Sequence, residues 1–405
     1  MFSIVLLRRT AAASLYFILA FCTFAFSQTF TVLHTFHLTD GELPFSGLVH
    51  GSDGNLYGTT FGGEHRAVSG EVYKITPSGK FTLMHAFAGG SDGAYPQASV
   101  ILDTAGNLYG TTTWGGSFNA GVVYKVTAAR KESVIYAFTG GADGAGPTSD
   151  LVRDAKGNLY GTTVAGGNPS CGPVEGALVG CGTVFKIDTT GLETVLHTFE
   201  AGSDGANPFA GLVMDSAGNL YGTTSTGGLY GSGQVFKIDP SNNKTVVHDF
   251  QPGFENDGAN PKTDLTFAPS AVLYGATLQG GDLNAGDCAR MGCGAAFKID
   301  TNNVVSTIHS FEGPPSDGQS PSGPLARDAA GNLYGVSYSG GLYNAGTVYK
   351  LDASGTLTIL HSFTEGSDGL DPSGRLYVDS DGVVYGNALS FQPGPNYGVV
   401  FKITP

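Results

Sequence analysis

Short runs of alternating apolar and polar residues recur along the chain, and no helix-length window keeps the 3.6-residue period of a helix. One such run, Leu-Tyr-Gly with a Val-Tyr-Gly variant, occurs seven times, with successive tyrosines 51 to 61 positions apart. This regular return predicts seven copies of one unit of about fifty residues. The marking tyrosines are Tyr57, Tyr109, Tyr160, Tyr221, Tyr274, Tyr334 and Tyr385.

Each unit contains four short segments with strand-like alternation. In the fourth unit we predict strands at 211–215, 219–224, 234–239 and 245–250. A tight turn from Asp215 to Gly218 separates the first two, where glycine can adopt a positive φ. Four antiparallel strands at this period are typical of a β-propeller blade, whose faces are buried only by neighbouring blades.

Three further motifs keep step with the tyrosines. A Tyr/Phe-Lys pair ends the third strand, a phenylalanine ends the fourth, and an Asp-Gly-x-x-Pro link leads to the next unit. Because aromatic side chains bury large apolar areas, we expect them to pack between blades. The phenylalanines are Phe36, Phe87, Phe138, Phe199, Phe250, Phe311 and Phe363, and the link aspartates are Asp40, Asp92, Asp143, Asp204, Asp257, Asp317 and Asp368.

The two ends of the repeated region are complementary. The chain begins with a lone fourth-type strand at 30–36 and ends with a third-type strand at 399–403. Pairing the two would close a ring and remove two exposed strand edges, a gain that an open solenoid would not have. We therefore predict an all-β, seven-bladed β-propeller with four antiparallel strands per blade, whose last blade is closed by the N-terminal strand.

The first 27 residues are predicted to be a secretory signal peptide. A basic start at Arg8 and Arg9 precedes an apolar run that is short for a membrane span, and Phe21 is too bulky to precede a lipidated Cys22. Residues 28–405 then form one propeller, secreted to the cell exterior or the periplasm. Loss of the two arginines takes the formal net charge from −14 to −16, which argues against nucleic acid and anionic membranes as partners.

The four cysteines that follow the predicted signal indicate disulfides. An even number in an exported protein favours pairing, and Cys181 aligns with Cys293 between units. Each of these has another cysteine just upstream, so we predict the pairs Cys171–Cys181 and Cys288–Cys293. A shared zinc site is the alternative, but it would require two loops from different units to converge.

The Gly-Asn-Leu-Tyr-Gly-Thr-Thr core followed by Gly-Gly resembles the GloVer-type tandem repeats of exported bacterial proteins. The resemblance covers nearly all of residues 30–405. Two units depart from it: Ala268–Ala271 replaces the Asp-x-x-Gly turn in unit five, and Phe391–Gly394 replaces Gly-Gly in unit seven. The resemblance implies an exported repeat protein and no established reaction.

If the N-terminal strand is outermost, the Asp-Gly links and the Gly-Gly links share one end of the propeller, which we call the loop face. Residues there that differ between units are the candidates for ligand binding, because a specific site needs asymmetry. Exposed aromatic side chains beside polar groups suit sugar rings, although packing against the next blade is the alternative. The candidates are Glu64, His65, Arg66, Trp114, Phe118, Tyr230, Asp282, Asp287, Arg290, Tyr343 and Tyr397.

The repeated polar residues are expected to be structural. The histidines of the fourth strands, such as His197, belong to different blades and cannot converge on one ion. The link aspartates are expected to cap their own turns, with a cation-attracting ring of carboxylates as the alternative. We predict no metal site, no cofactor and no catalytic residue.

The sequence supports two functional hypotheses. The first is a secreted, monomeric, non-catalytic binding or scaffold module that recognises a glycan or a surface protein through the loop face. The second is a propeller hydrolase or lyase that acts on a carbohydrate or lactone at the channel mouth. Adjacent Glu64 and His65 are the sole hint of an acid/base pair, which leaves the enzyme question open and favours binding.

Overall fold

A computed structural model describes residues 28–37, 39–62, 69–174, 178–254, 256–284, 288, 291–390 and 397–405. Within these residues the chain forms seven antiparallel blades around a central axis, with strands that run from innermost to outermost in each blade. The predicted seven-bladed propeller is therefore confirmed. The predicted signal peptide lies outside the described residues and remains a prediction.

The strands follow one order in every blade. The chain opens with β1 (Thr29–Thr35). Blade one is β2 (Val49–His50), β3 (Leu56–Thr60), β4 (Glu71–Ile75) and β5 (Phe81–Ala86), and blade two is β6 (Ile101–Leu102), β7 (Leu108–Thr112), β8 (Val122–Val126) and β9 (Glu132–Ala137). Blade three is β10 (Val152–Arg153), β11 (Leu159–Thr163), an inserted hairpin of β12 (Pro173–Val174) and β13 (Leu178–Val179), then β14 (Thr183–Ile187) and β15 (Glu193–Thr198).

The later blades repeat this order with small additions. A short 3-10 helix (Gly202–Asp204) leads to blade four, which is β16 (Val213–Met214), β17 (Leu220–Thr224), β18 (Gln234–Ile238) and β19 (Lys244–Asp249). Blade five is β21 (Thr266–Phe267), β22 (Leu273–Thr277), β24 (Ala295–Ile299) and β25 (Val305–Ser310), beside the pair β20 (Gly258–Ala259) and β23 (Gln279–Gly280). Blade six is β26 (Gly318–Pro321), β27 (Ala326–Arg327), β28 (Leu333–Gly340), β29 (Thr347–Leu351) and β30 (Leu357–Ser362), and blade seven is β31 (Leu370–Val378), β32 (Val384–Leu389), β33 (Val399–Thr404) and β1.

The ring closes as the two chain ends predict. Strand β1 pairs antiparallel with β33, and Phe30 lies opposite Ile403 at one end of the ladder while Thr35 lies opposite Val399 at the other. Strand β31 is innermost in this blade. The paired ends leave neither strand with a free edge at the junction, which would otherwise invite association with another chain.

The Leu-Tyr-Gly motif exists because an aromatic ring lies against its glycine. A Cβ placed on Gly222 would lie 2.7 Å from Cζ of Phe236 on the next strand, closer than side chains can approach. Only glycine leaves room for that fully buried ring. The same relation holds for Gly58, Gly110, Gly161, Gly275, Gly335 and Gly386.

The recurring phenylalanines pack between blades, as expected from the sequence. Phe199, at the end of the outer strand of blade three, meets Phe236 of blade four edge to face, with ring centroids 5.3 Å apart. Both rings are fully buried. Equivalent contacts join Phe36 to Tyr73, Phe87 to Tyr124, Phe138 to Phe185, Phe250 to Phe297, Phe311 to Tyr349 and Phe363 to Phe401.

The innermost strand of blade four is shorter than predicted. In blade four the strand covers Val213–Met214 rather than 211–215. The reason lies at the axis: the N–H of Gly211 donates to Oδ1 of Asp264 in the neighbouring blade, at 2.6 Å, instead of to its own sheet. The residues that precede each inner strand therefore form a ring of contacts between blades, and this ring surrounds the candidate site.

Candidate functional site

Residues from the three positions that follow each link proline line a cavity of about 210 Å³ on the propeller axis, which we call the axial cavity. All seven blades contribute to its wall. Since these residues connect the loop-face links to the inner strands, the cavity lies at the loop-face end of the channel. Its mouth is formed by the first residue after each proline: Phe45, Gln97, Thr148, Phe209, Lys262, Ser322 and Ser373.

The third residue after the proline, which we call the axial position, differs strongly between blades. In blades one to seven it is Gly47, Ser99, Asp150, Gly211, Asp264, Pro324 and Arg375. Three of the seven are charged, and they belong to blades three, five and seven. A structure with near-sevenfold repetition therefore has an asymmetric charged cluster at its centre.

Each aspartate of this cluster joins its own blade to the preceding one. Oδ1 of Asp150 accepts the N–H of Ser99 at 2.6 Å, and Oδ1 of Asp264 accepts the N–H of Gly211 at the same distance. Ser99 has the same role one blade earlier, where its hydroxyl accepts the N–H of Gly47 at 3.0 Å. These bonds fix the carboxylates in place and satisfy backbone groups that the short inner strands leave unpaired.

Arg375 reaches across the axis to both aspartates. Its Nη2 donates to Oδ2 of Asp264 at 3.3 Å, and its Nε lies 3.9 Å from Oδ2 of Asp150. The side chains of Asp150, Asp264 and Arg375 are 19%, 11% and 31% exposed, so the cluster is shielded and still open to a small ligand. We call these three residues the axial triad.

The surroundings of Asp150 favour its neutral form. Burial raises the pKa of Asp150 to about 7, and the nearby Asp264 carboxylate adds to this rise, while Arg375 and the bond from Ser99 oppose it. A raised pKa widens the pH range in which the carboxyl group is protonated, and the protonated form can donate a hydrogen bond. Asp150 is thus able to act as either donor or acceptor toward a ligand.

The mouth of the cavity combines aromatic and cationic groups. The Lys262 ammonium lies 4.2 Å from the ring centroid of Phe209, within the range of a cation–π contact. Phe45, on the opposite part of the wall, meets Phe61 edge to face at 5.5 Å. Aromatic side chains combined with a few polar groups are typical of a small-molecule site.

The exposed aromatic candidates lie outside this cavity. Phe118, Tyr230 and Tyr343 are 63%, 49% and 56% exposed, in the links of blades two, four and six. They are not part of the cavity lining. Because these links belong to three non-adjacent blades, the three side chains surround the loop face rather than forming one platform.

Three other candidates have structural contacts. Trp114 packs against the buried cluster of blades two and three, and Tyr397 packs against the cluster around Tyr73. The carboxylate of Asp282 accepts the N–H of Asn284 at 2.8 Å and so caps its own turn. The remaining candidates, Glu64, His65, Arg66, Asp287 and Arg290, lie outside the described residues.

The repeated histidines and link aspartates form pairs. His309 Nε2 lies 2.8 Å from Oδ2 of Asp317, and this aspartate also accepts the N–H of Glu312 at 3.0 Å, so it serves both the histidine and the turn. His197, His248 and His361 pair in the same way, and Tyr136 donates to Asp143 at 3.0 Å in blade two. His34 and His85 lie 3.1 and 3.6 Å from their aspartates, at ion-pair distance. The described residues contain no group of three or more His, Cys, Asp or Glu side chains that could hold a metal ion.

Both predicted disulfides are present. Cys171 bonds to Cys181 and Cys288 bonds to Cys293, in the Gly-Gly links of blades three and five. The four cysteines are therefore paired within their own units and do not form a shared metal site. Among the described residues, none of the helical segments has the length and apolar character that crossing a membrane requires.

The family model of the Gloeobacter/Verrucomicrobia repeat matches residues 20–174, 173–292 and 287–405. The chain belongs to this repeat family. The resemblance carried by the Gly-Asn-Leu-Tyr-Gly-Thr-Thr core is thereby confirmed. No curated protein matches the chain.

Solved structures resemble this member of the Gloeobacter/Verrucomicrobia repeat family at low identity. The extracellular domain of BT3049 of B. thetaiotaomicron, described as a hybrid two component system, is 14% identical with a TM-score of 0.58, over 93% of this chain and 41% of that one. The extracellular domain of BT4673, described as a one component system of the same organism, is 10% identical with a TM-score of 0.55, over 91% of this chain and 39% of that one. This chain thus spans about two fifths of either neighbour. Puromycin hydrolase is 11% identical with a TM-score of 0.51, over 87% of this chain and 51% of that one. Such identities show the fold alone.

Sequence reasoning missed the axial triad. Its signal in the sequence lies at the axial position and not in the Gly-Gly links, where the candidate residues lie. Aligning the seven units on the link proline shows Asp150, Asp264 and Arg375 as the charged residues in a column otherwise filled by glycine, serine and proline.

Proposed function

We propose that this protein is an exported, non-catalytic binding module that takes the end of a glycan into the axial cavity on its loop face. The observation that carries the proposal is the axial cavity itself, to which all seven blades contribute and where three of the seven place a charged residue. A structural ring alone would have no need of this asymmetry.

The chemistry of the cavity suits a sugar. Hydroxyl groups both donate and accept hydrogen bonds, and the axial triad offers carboxylate and guanidinium partners beneath the rings of Phe45 and Phe209. A volume of about 210 Å³ is below the roughly 300–1,000 Å³ of sites for drug-sized ligands. The cavity therefore fits a single terminal ring, and the rest of a longer ligand would contact one of the exposed side chains on the loop face, Phe118, Tyr230 or Tyr343.

An extracellular or periplasmic location supports this role. Disulfides persist in oxidising compartments, and two of the structural neighbours are extracellular domains of regulatory systems. The same comparisons suggest a module that binds rather than one that reacts. The other ligand that the loop face could recognise is a surface protein.

The alternative is a hydrolase or lyase that acts on a carbohydrate or lactone at the channel mouth. It is favoured by the raised pKa of Asp150, near the range of a general acid, and by the likeness to puromycin hydrolase. Against it, Asp150 and Asp264 each have one oxygen committed to a backbone N–H, and no histidine is among the described residues that line the cavity.

The test is to incubate residues 28–405 with a panel of oligosaccharides, and to measure heat of binding together with release of products. We expect saturable binding without turnover. The variant Gln97→Trp, which fills the mouth, should lose binding, whereas Ala353→Trp, on an exposed turn at the opposite end, should keep it. Product release would favour the enzyme hypothesis. Equal binding by both variants would exclude the axial cavity as the binding site.

A further inference from the structure

A polar arrangement of aspartate, tyrosine and lysine recurs at the end of the propeller opposite the loop face. In blade four, the hydroxyl of Tyr221 donates to Asp215, in the turn between the first two strands, at 3.3 Å. Lys237 of the third strand lies over the Tyr221 ring, 5.6 Å from its centroid. The same bond from tyrosine to aspartate is present in blades one, two, three and six.

Blade five keeps the turn, the tyrosine and the lysine of this arrangement but not the aspartate. Ala268 occupies the aspartate position, while Tyr274 and Lys298 are retained. The N–H of Ala268 donates to the backbone oxygen of Val272 at 2.8 Å, and the same backbone bond closes the turn in blade four. The turn therefore forms without the carboxylate, and only the partner of the tyrosine and the lysine is missing.

No other group replaces this partner. Within the described ranges, the Tyr274 hydroxyl takes part in no hydrogen bond, and Lys298 takes part in neither a hydrogen bond nor an ion pair. Lys298 is exposed, whereas the equivalent lysine is half-buried in the other six blades. Lys298 acts on Asp300 through its charge, as Lys237 does on Asp239, so this interaction is common to both blades and does not fill the gap.

Tyr274 and Lys298 line a cavity of about 370 Å³ between blades five and six, which we call the basal groove. Arg327 of blade six lies on its wall, together with the apolar side chains of Ile308 and Leu333. This volume falls within the roughly 300–1,000 Å³ of small-molecule sites, which combine apolar walls with a few polar groups.

Arg327 brings a further donor to the basal groove. Its Nε is buried and has no hydrogen-bond partner, and its Nη1 makes a long bond of 3.4 Å to the backbone oxygen of Asp328. The equivalent Arg153 of blade three lies 5.8 Å from the ring centroid of Tyr109 in the preceding blade, so this position faces the tyrosine of its neighbour. A buried N–H without an acceptor costs free energy, which a bound acceptor would recover.

We propose that the basal groove binds a small molecule through a carboxylate, which takes the place of the aspartate that blade five lacks. The Tyr274 hydroxyl, the Lys298 ammonium and the Arg327 guanidinium are its donors, and the walls around Ile308 and Leu333 accept the apolar part of the molecule. Hydrogen bonds from cationic donors to a carboxylate are about twice as strong as neutral ones.

One carboxylate of the chain itself lines the groove and opposes such a ligand. Oδ1 of Asp352 accepts the N–H groups of Ser354 and Thr356, each at 2.9 Å, and so caps an exposed turn. Lys298 and Arg327 outnumber it, which leaves the lining with a positive balance in a chain whose formal net charge is −14. The groove should therefore prefer an acid to a neutral molecule of the same shape, and both to an amine.

The experiment titrates residues 28–405 with three probes of similar shape: phenylacetate, phenylacetamide and phenethylamine. Calorimetry near neutral pH should show phenylacetate binding about tenfold tighter than phenylacetamide, with phenethylamine weakest. Equal affinities for the first two, or tightest binding of the amine, would overturn the inference. Inorganic phosphate that binds more tightly than phenylacetate would overturn the assignment to carboxylates.

Three variants locate the effect in blade five. Ala268→Asp restores the repeated carboxylate and should weaken phenylacetate binding about tenfold, because the bonds are then made within the chain. Lys298→Ala should weaken it several-fold, whereas Lys237→Ala, the same change at the same position of blade four, should leave it unaltered. A thermal melt shows whether Ala268→Asp folds; if it does not, the two lysine variants decide, and equal effects in both would refute the site.

The inference goes beyond the proposed function and does not rest on it, because the basal groove and the axial cavity lie at opposite ends of the propeller. Ala353→Trp, on the wall of the basal groove, should weaken phenylacetate binding and leave glycan binding intact. Loss of either activity alone therefore shows which of the two sites has been assigned wrongly.

Discussion

Aspartates at the outer edge and at the axis of this propeller find their partners in different ways. At the outer edge, Asp317 pairs with His309 eight residues away in sequence, and the arrangement recurs from blade to blade. At the axis, Asp264 pairs with Arg375, which is 111 residues away and two blades further on. Local partners repeat with the unit, whereas partners across the ring need not.

The difference shows where repetition supports the fold and where it would prevent a function. Identical carboxylates at all seven axial positions would repel one another, so the axis can hold only a few charges with a counter-ion. At the outer edge the blades are farther apart, and each aspartate can have its own histidine. This difference is the reason for placing the proposed binding site at the axis.

The largest expected effect comes from breaking the repeated framework. Phe236→Ala removes a fully buried ring that packs on Gly222 and Phe199, and should lower the free energy of unfolding by about 3–5 kcal/mol. Tyr230→Ala, on the exposed loop of the same blade, should change it by no more than about 0.5 kcal/mol. Urea unfolding measures the free energy of unfolding of both variants. A similar decrease in the two would contradict the view that the repeated buried residues stabilise the fold and the exposed loop residues do not.

Stability measured over a range of pH, together with sugar binding, distinguishes Asp150 at the axis from Glu193 on the outer strand of blade three. Burial, and then a facing carboxylate, raise the pKa of Asp150 and of Glu193 to about 7 each. The folded state therefore holds protons that the unfolded state releases near pH 4, so both groups make the fold less stable as pH rises from about 4 to 7.

Asp150→Asn and Glu193→Gln should each flatten the fall of the melting temperature over that range. Only Asp150→Asn should also change sugar binding, because Glu193 is not among the residues that line the cavity. Unchanged pH slopes in both variants would show that these carboxyls are solvated in the folded protein.

The smallest expected effect concerns the outer pairs. His309→Ala leaves Asp317 with its backbone partners alone and should cost about 1 kcal/mol of stability. His309→Tyr should cost less, because Tyr136 already pairs with Asp143 in this way in blade two. Thermal unfolding of the two variants tests this, and an unstable His309→Tyr would argue that the histidine ring itself is required.

Much of the architecture was predictable because it is local. The tyrosine spacing, the Asp-Gly links and the unit-bound cysteines each concern residues within one repeat, and they led to seven blades and two disulfides. Ring closure followed from the spare fourth-type strand at the start of the repeats and the missing one at their end. Pairing of His309 with Asp317 was not predicted, although both were identified, because it depends on how the outer strand meets the link.

The sequence by itself determined the number of blades and the way the ring closes, since strand alternation and turn chemistry act over a few residues. Only the tertiary structure decided which irregular residues meet. Closing the ring brings equivalent positions of all blades together at the axis and moves the Gly-Gly links apart toward the rim. Asp150, Asp264 and Arg375 thus became one cluster, while Phe118, Tyr230 and Tyr343 stayed on separate blades.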